Sequence, residues 1–135
     1  MQDMFVNRNY LMILIFAIFL LCGCSNDLKC TLTERDDTYK FSKEYVVKYN
    51  GDIVSNVEEI NRIEFLNEKE FNEYKKIIDV LCIKDYYDCS YEYDGKEIKY
   101  TLKSDNISTF IKEFSNDIKE EDLKEKFKDI HYTCN

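Results

Sequence analysis

From Leu11 to Leu21 every residue is apolar, and with Tyr10 and Cys22-Gly23-Cys24 the stretch reaches 15 residues. A helix that crosses a bilayer needs about 20 such residues, so this one stops short. Its length suits the apolar region of a secretory signal peptide, with Arg8 and the α-amino group as a thin basic flank, offset by Asp3. A leader of that kind takes no part in the fold. Removing residues 1–23 leaves 112 residues with 18 Lys+Arg against 26 Asp+Glu, still a net charge of -8. A chain of this size buries about two-thirds of its unfolded surface, enough for one core and too little for two.

The acidic balance, with a sequence pI near 4.7, argues against a nucleic-acid partner. Nonspecific binding to nucleic acid depends on cationic side chains displacing phosphate counterions. Ala17 is the only alanine, and Pro and Trp are absent, whereas Lys, Asn, Ile, Tyr and Phe are abundant. An AT-rich genome produces this bias, so the 11 tyrosines do not by themselves indicate a binding surface.

The apolar run ends in Leu21-Cys22-Gly23-Cys24 and is followed by polar Ser25-Asn26-Asp27. This resembles the lipobox of bacterial lipoproteins, in which a small residue precedes the cysteine that becomes the acylated mature N-terminus. The resemblance implies cleavage between Gly23 and Cys24 and a fatty-acid (palmitate-type) modification on Cys24. Cys22 is the poorer acceptor because bulky Leu21 precedes it. An uncleaved signal anchor without lipid is the alternative. Two or more acyl chains anchor durably where one does not. The tether from Ser25 to Lys29 spans at most ~18 Å, so the body stands close to the membrane. Its negative charge is repelled by anionic headgroups, which leaves the holding to lipid.

Four cysteines remain: Cys30, Cys82, Cys89 and Cys134. An even number in an exported chain reads as a disulfide framework, with three possible connectivities. The expected pairs are Cys30–Cys134, joining the two ends of the body, and Cys82–Cys89, closing a short local loop. Chain entropy assigns roughly 4.7 kcal/mol to a loop near 100 residues and about 2.5 kcal/mol to one of eight. Thiol redox chemistry at Cys82 and Cys89 is the rival, although their spacing is wider than Cys-x-x-Cys. His131-x-x-Cys134 has a metal-like spacing but lacks a second close pair, so no metal site is expected.

Alternation in Leu28-Lys29-Cys30-Thr31-Leu32-Thr33 predicts a first strand and Tyr39–Tyr49 a second, with Phe41, Tyr45, Val47 and Tyr49 on one face. A three-residue turn, Asn50-Gly51-Asp52, then sets Tyr49 opposite Ile53, Tyr45 opposite Val57 and Lys43 opposite Glu59. Ile60 falls on the wrong face for Ile63 and Phe65, which predicts a bulge or break near Glu58–Asn61. A helix follows, capped by Asn67, stapled by Leu66 and Phe71, with Tyr74, Ile78 and Leu81 inward, ending near Cys82.

Tyr87–Tyr93 and Lys96–Leu102 read as a hairpin about Asp94-Gly95. That register pairs Tyr91 with Ile98, Cys89 with Tyr100 and Tyr87 with Leu102, and places the tyrosines in the core. Tyr86, of opposite parity, is the candidate exposed ligand residue, able to stack on a sugar. Ile107, Phe110, Ile111 and Phe114 have helical spacing, and a last helix covers Glu120–Asp129 with Leu123, Phe127 and Ile130 inward. Ile130–Cys134 returns as a short edge strand.

Signal peptide, lipobox at Leu21–Cys24, acidic β/α order and the Tyr132-Thr133-Cys134 ending together resemble the small YehR-like lipoproteins of bacteria. The resemblance implies an envelope lipoprotein with an α+β body, and it carries over no binding residue beyond the lipobox. The four further cysteines and Lys119 at a helix cap are features the family pattern does not demand.

The resulting expectation is a signal peptide over 1–23, a tether over 24–29, and a single α+β domain over 30–135. That domain is an antiparallel sheet of about five strands with two to three helices on one face, in the order β-β-β-α-β-β-α-α. No nucleophile elbow, phosphate-binding loop, zincin helix or paired glycosidase carboxylates appear, so no catalytic residue, metal or cofactor is assigned. The function expected is a non-enzymatic binding or scaffolding module on the extracytoplasmic side of the cell membrane. It is held by lipid on Cys24 and faces an envelope protein or cell-wall ligand.

Overall fold

The computed structural model describes residues 27–84 and 88–135. The expected leader, with Gly23 and Cys24, and the expected positions of Tyr86 and Tyr87 lie outside the described residues. Strands β1 (Leu28–Arg35), β2 (Tyr39–Asn50) and β3 (Ile53–Phe65) lead into helix α1 (Glu68–Lys84). The hairpin β4 (Asp88–Asp94) and β5 (Glu97–Ser104) follows, then a 3-10 turn (Ile107–Thr109), helix α2 (Glu120–Asp129) and the two-residue β6 (Thr133–Cys134). The strands form one antiparallel sheet in the order β4-β5-β3-β2-β1-β6. The architecture is α+β, with six strands where about five were expected, because β6 pairs with β1.

Both helices lie on the same face of the sheet. α1 sends Phe71 and Ile78 onto Ile63, Phe65 and Ile98. α2 sends Leu123 and Phe127 onto Leu28, Cys30, Tyr45, Val47 and Val57, with Ile107 of the 3-10 turn beside them. The uncovered face carries cross-strand ion pairs, Glu92 with Lys99 at 3.5 Å and Glu58 with Lys103 at 3.7 Å. Such exposed pairs contribute tenths of a kcal/mol, and their main effect is to keep that face wet.

Local chemistry explains where the elements begin and end. The Asn67 side chain accepts from the Glu70 amide at 3.0 Å, capping α1. The expected staple partner Leu66 stays 56% exposed, while its carbonyl accepts from Lys96 Nζ. Helix α2 has the expected bounds, with Lys119 at its N-cap and Leu123 and Phe127 buried. Ile130, expected inward, is 54% exposed, because the helix ends there and His131 turns the chain with φ at 70°.

The helix expected over Ile107–Phe114 shrinks to the 3-10 turn. Asn106 Oδ1 accepts from the Ser108 amide, Asn116 Oδ1 accepts from the Ile107 amide, and Asn116 Nδ2 donates to the Asp105 carbonyl. Asn106 thereby caps the turn, and Asn116 ties its start to the segment that leads into α2. The apolar side chains still pack: Phe110, Ile111 and Phe114 rest on the α2 cluster.

Both hairpin registers differ from the expectation, for one shared reason. Each turn places glycine at its first central position, Gly51 at φ +66° and Gly95 at φ +60°, with no left-handed backbone at the residue after it. The two-residue turns are therefore Gly51-Asp52 and Gly95-Lys96, with Asn50 paired to Ile53 and Asp94 paired to Glu97. Glycine at the first central position with ordinary backbone after it is the type II′ arrangement, whose twist matches that of the flanking strands. The second hairpin slips by two residues, so faces are kept while partners change: Tyr93 meets Ile98, Tyr91 meets Tyr100 and Cys89 meets Leu102.

In the first hairpin the register shifts opposite Lys48 and Tyr49, leaving Ser55 as the extra residue. Beyond that bulge Val47 faces Val57, Tyr45 faces Glu59 and Lys43 faces Asn61. The bulge predicted near Glu58–Asn61 does not form there. β3 runs on unbroken, with Ile60 on the open face.

Both expected disulfides form. Cys30 and Cys134 are directly opposed across β1 and β6 with Cα atoms 4.1 Å apart, and Cys82 of α1 bridges to Cys89 of β4 at 5.4 Å. The first spans 104 residues of chain and the second seven. Replacing Cys30 and Cys134 together by serine should cost up to ~4.7 kcal/mol of unfolding free energy, against about 2.5 kcal/mol for the Cys82/Cys89 pair. Urea titration of both double variants checks the ordering, and a larger loss from the local bridge would contradict it.

Candidate functional site

The inward side of β3 reads Val57, Glu59, Asn61, Ile63, Phe65. Two of those five residues are polar. Val57 belongs to the α2 cluster and Ile63 to the α1 cluster, so Glu59 and Asn61 lie in the seam between two apolar cores. Glu59 is 8% exposed and Asn61 fully buried. Burying a carboxylate costs several kcal/mol unless partners replace its hydration.

The replacement is specific. The Tyr45 hydroxyl donates to Glu59 Oε2 at 2.8 Å and Asn61 Nδ2 donates to Glu59 Oε1 at 3.0 Å. Lys43 Nζ stands 3.6 Å from the same Oε1. Asn61 Oδ1, by contrast, is buried and meets no donor among the described residues. An acceptor left so costs about 1–3 kcal/mol, and a fold that keeps one calls for a reason.

Register carries this seam across the sheet. On β2, β3, β5 and β4 the residues Lys43, Asn61, Tyr100 and Tyr91 are successive cross-strand neighbours. Lys43 and Tyr100 are half-exposed, and Tyr91 retains 43% of its surface. Tyr91 was expected in the core. Its slipped register instead places it beside α1, where its hydroxyl bonds to Asp79. Tyr93 donates to the same carboxylate at 3.3 Å and lies under Lys75 Nζ, 4.6 Å from the ring centre. An exposed ring is thus fixed by a hydrogen bond at its far end and by Tyr93 at its side, 5.6 Å between centroids.

Burial first, then the Glu59 charge, pushes the Tyr45 hydroxyl far above the usual tyrosine range. Burial followed by Glu59 and Glu34 raises Tyr132 to about 12. Tyr49, whose hydroxyl donates to the Ile118 carbonyl at 2.9 Å, is raised to about 12 by burial, then Glu120 and Asp122. The hydrogen bond to Asp79, then its charge, raises Tyr91. These hydroxyls stay protonated through the physiological range and act as donors.

The four predicted disulfide cysteines occupy their bridges, which removes Cys134 from any metal set with His131; His131 itself is exposed. No group of three or more metal-ligating residues forms among the described residues. Sequence reading missed Lys43, Glu59 and Asn61 as a unit. The signal was present as Val-x-Glu-x-Asn-x-Ile-x-Phe over 57–65, a two-residue period with polar residues inside it. What hid it was the assumption that Ile60, rather than Glu59 and Asn61, belonged inside.

Chemically the lane sets an ammonium donor, a buried carboxamide acceptor and two tyrosine rings in a row. Glu59 already has partners on both oxygens, so it holds the lane together and is not poised as a base. No family model, curated protein or solved structure matches the chain.

The raised tyrosines make an alkaline prediction. A hydroxyl whose folded pKa exceeds its unfolded value contributes stability that is fully present below the unfolded value near 10 and is lost as pH rises through the folded one. Stability should therefore hold to about pH 10 and fall towards pH 12 as Tyr49 and Tyr132 ionise. Tyrosinate absorbance followed with circular dichroism should show a late-titrating fraction whose ionisation coincides with unfolding. Titration of all tyrosines near 10 without unfolding would contradict it. Tyr45→Phe should destabilise by about 1–3 kcal/mol in urea, because Glu59 then loses a buried donor.

Proposed function

We propose that this chain is an exported lipoprotein whose body, tethered through an acylated Cys24, is a non-enzymatic binding module with the Lys43–Asn61–Tyr100–Tyr91 lane as its ligand seat. The observation that carries the reading is the position of Cys30. Six residues after the lipobox cysteine, it is fully buried and bridged to Cys134. Disulfides of this kind persist in oxidising compartments. The fold therefore begins almost at the anchor, and β1 starts at Leu28.

The end of the sheet that carries Leu28 and the Gly51-Asp52 turn then faces the lipid, while the lane crosses the middle of the sheet. A partner in the envelope or cell wall would meet the module from the side. Net charge of -8 leaves lipid, rather than protein surface, to hold it at the membrane.

Mass spectrometry of the native mature N-terminus, without reductant, tests location and bridging together. The expected species begins at an acylated Cys24 and takes up no alkylating reagent until reduced. Cys24→Ser should abolish incorporation of a labelled fatty acid. An intact leader or an unmodified mature end overturns the anchor. Thiols at Cys82 and Cys89 that mild reductant frees readily would favour redox chemistry over binding.

A further inference from the structure

We infer that the lane is a seat for a neutral glycan bearing N-acetyl groups, an assignment that rests on the binding-module reading above. Three features of the seam choose the ligand class. The first is the buried Asn61 Oδ1, an acceptor that meets no donor among the described residues. The second is Lys43, its cross-strand neighbour, whose ammonium is half-exposed and can donate. Acceptor and donor side by side are complementary to an acetamido group, which presents N–H to Asn61 and C=O to Lys43. Asn61 is fully buried, so the acetamido group must draw the Lys43 ammonium from Glu59 onto its own C=O to reach it.

The third feature is aromatic. Tyr100 and Tyr91 continue the same row, and the Tyr91 ring is exposed yet held by Asp79. A pyranose ring has an apolar face of C–H groups that lies on such a platform, and a ring already fixed loses little entropy when it is covered. Three strand spacings separate Lys43 from Tyr91, about 14 Å at ~4.8 Å each, the reach of a short oligosaccharide and not of one sugar. Charge argues for neutrality. Asp79 flanks the aromatic end, Glu59 lies under the polar end, and the chain is acidic overall, so an anionic chain of sugars would be repelled.

Isothermal titration of the mature acylated protein in detergent, with tri-N-acetylchitotriose as probe and maltotriose as control, tests the assignment. Saturable heat is expected with the acetylated trisaccharide and none with maltotriose. Tyr91→Ala should weaken binding about tenfold, the scale of one lost stacking contact, in a protein that circular dichroism shows to be folded. Lys43→Met, which keeps the arm and removes the charge, should weaken it as well. Absence of saturable heat, equal binding of maltotriose, or full affinity in Tyr91→Ala overturns the glycan assignment. Crosslinking in cells separates that failure from failure of the module itself. A specific protein adduct lost in Tyr91→Ala would keep the lane as a binding seat and replace its ligand, whereas no adduct and no glycan would remove both.

Discussion

The buried Glu59 carboxylate is the constraint around which the rest is arranged. Burial keeps most water from it, so the fold surrounds it with Asn61 of its own strand and with Tyr45 and Lys43, which a fixed register brings from β2. A one-residue slip between β2 and β3 would turn Tyr45 and Lys43 to the other face and leave the carboxylate with Asn61 alone, at a cost of several kcal/mol. The Ser55 bulge is what makes the register right. Without the extra residue Tyr45 would not face Glu59, and the donor would be lost.

The same cross-strand row ends in both disulfides. Cys134, Cys30, Tyr45, Glu59, Leu102 and Cys89 follow one another across all six strands, and Cys89 is tied onward to α1 through Cys82. The polar centre is therefore clamped at both margins. This matters because the seam divides the helix-covered face into two apolar clusters, and a seam between two small cores is where a body of this size has least to hold it together. Covalent ties at the margins offset that weakness and hold the neighbouring lane in one geometry.

Much of the architecture was legible. Alternation marked β1 and β2, Asn67 marked the start of α1, and the four-residue spacing of Leu123 and Phe127 marked α2. The cysteine pairs followed from their positions near the two ends and within one loop. Three elements were not legible, each for a physical reason. Across 107–114 Asn116 ties the turn back from outside the apolar run, a bond that apolar spacing does not carry. Glycine took the first rather than the second place in both turns, which moved both registers. The site itself was hidden because a polar residue at an inward position looks like an error of phase until its partner on the next strand is known.

By itself the sequence determined the apolar run over Leu11–Leu21 and its ending in Leu-Cys-Gly-Cys, the acidic charge, the class of fold and the expected cysteine pairs. All of these depend on order along one chain and on local chemistry. The tertiary structure alone decided that Lys43, Asn61, Tyr100 and Tyr91 stand in a row, although they are separated by up to dozens of residues in the chain. Strand register, set by a bulge and two glycine turns, brings them together, and no periodicity read along a single segment contains that information.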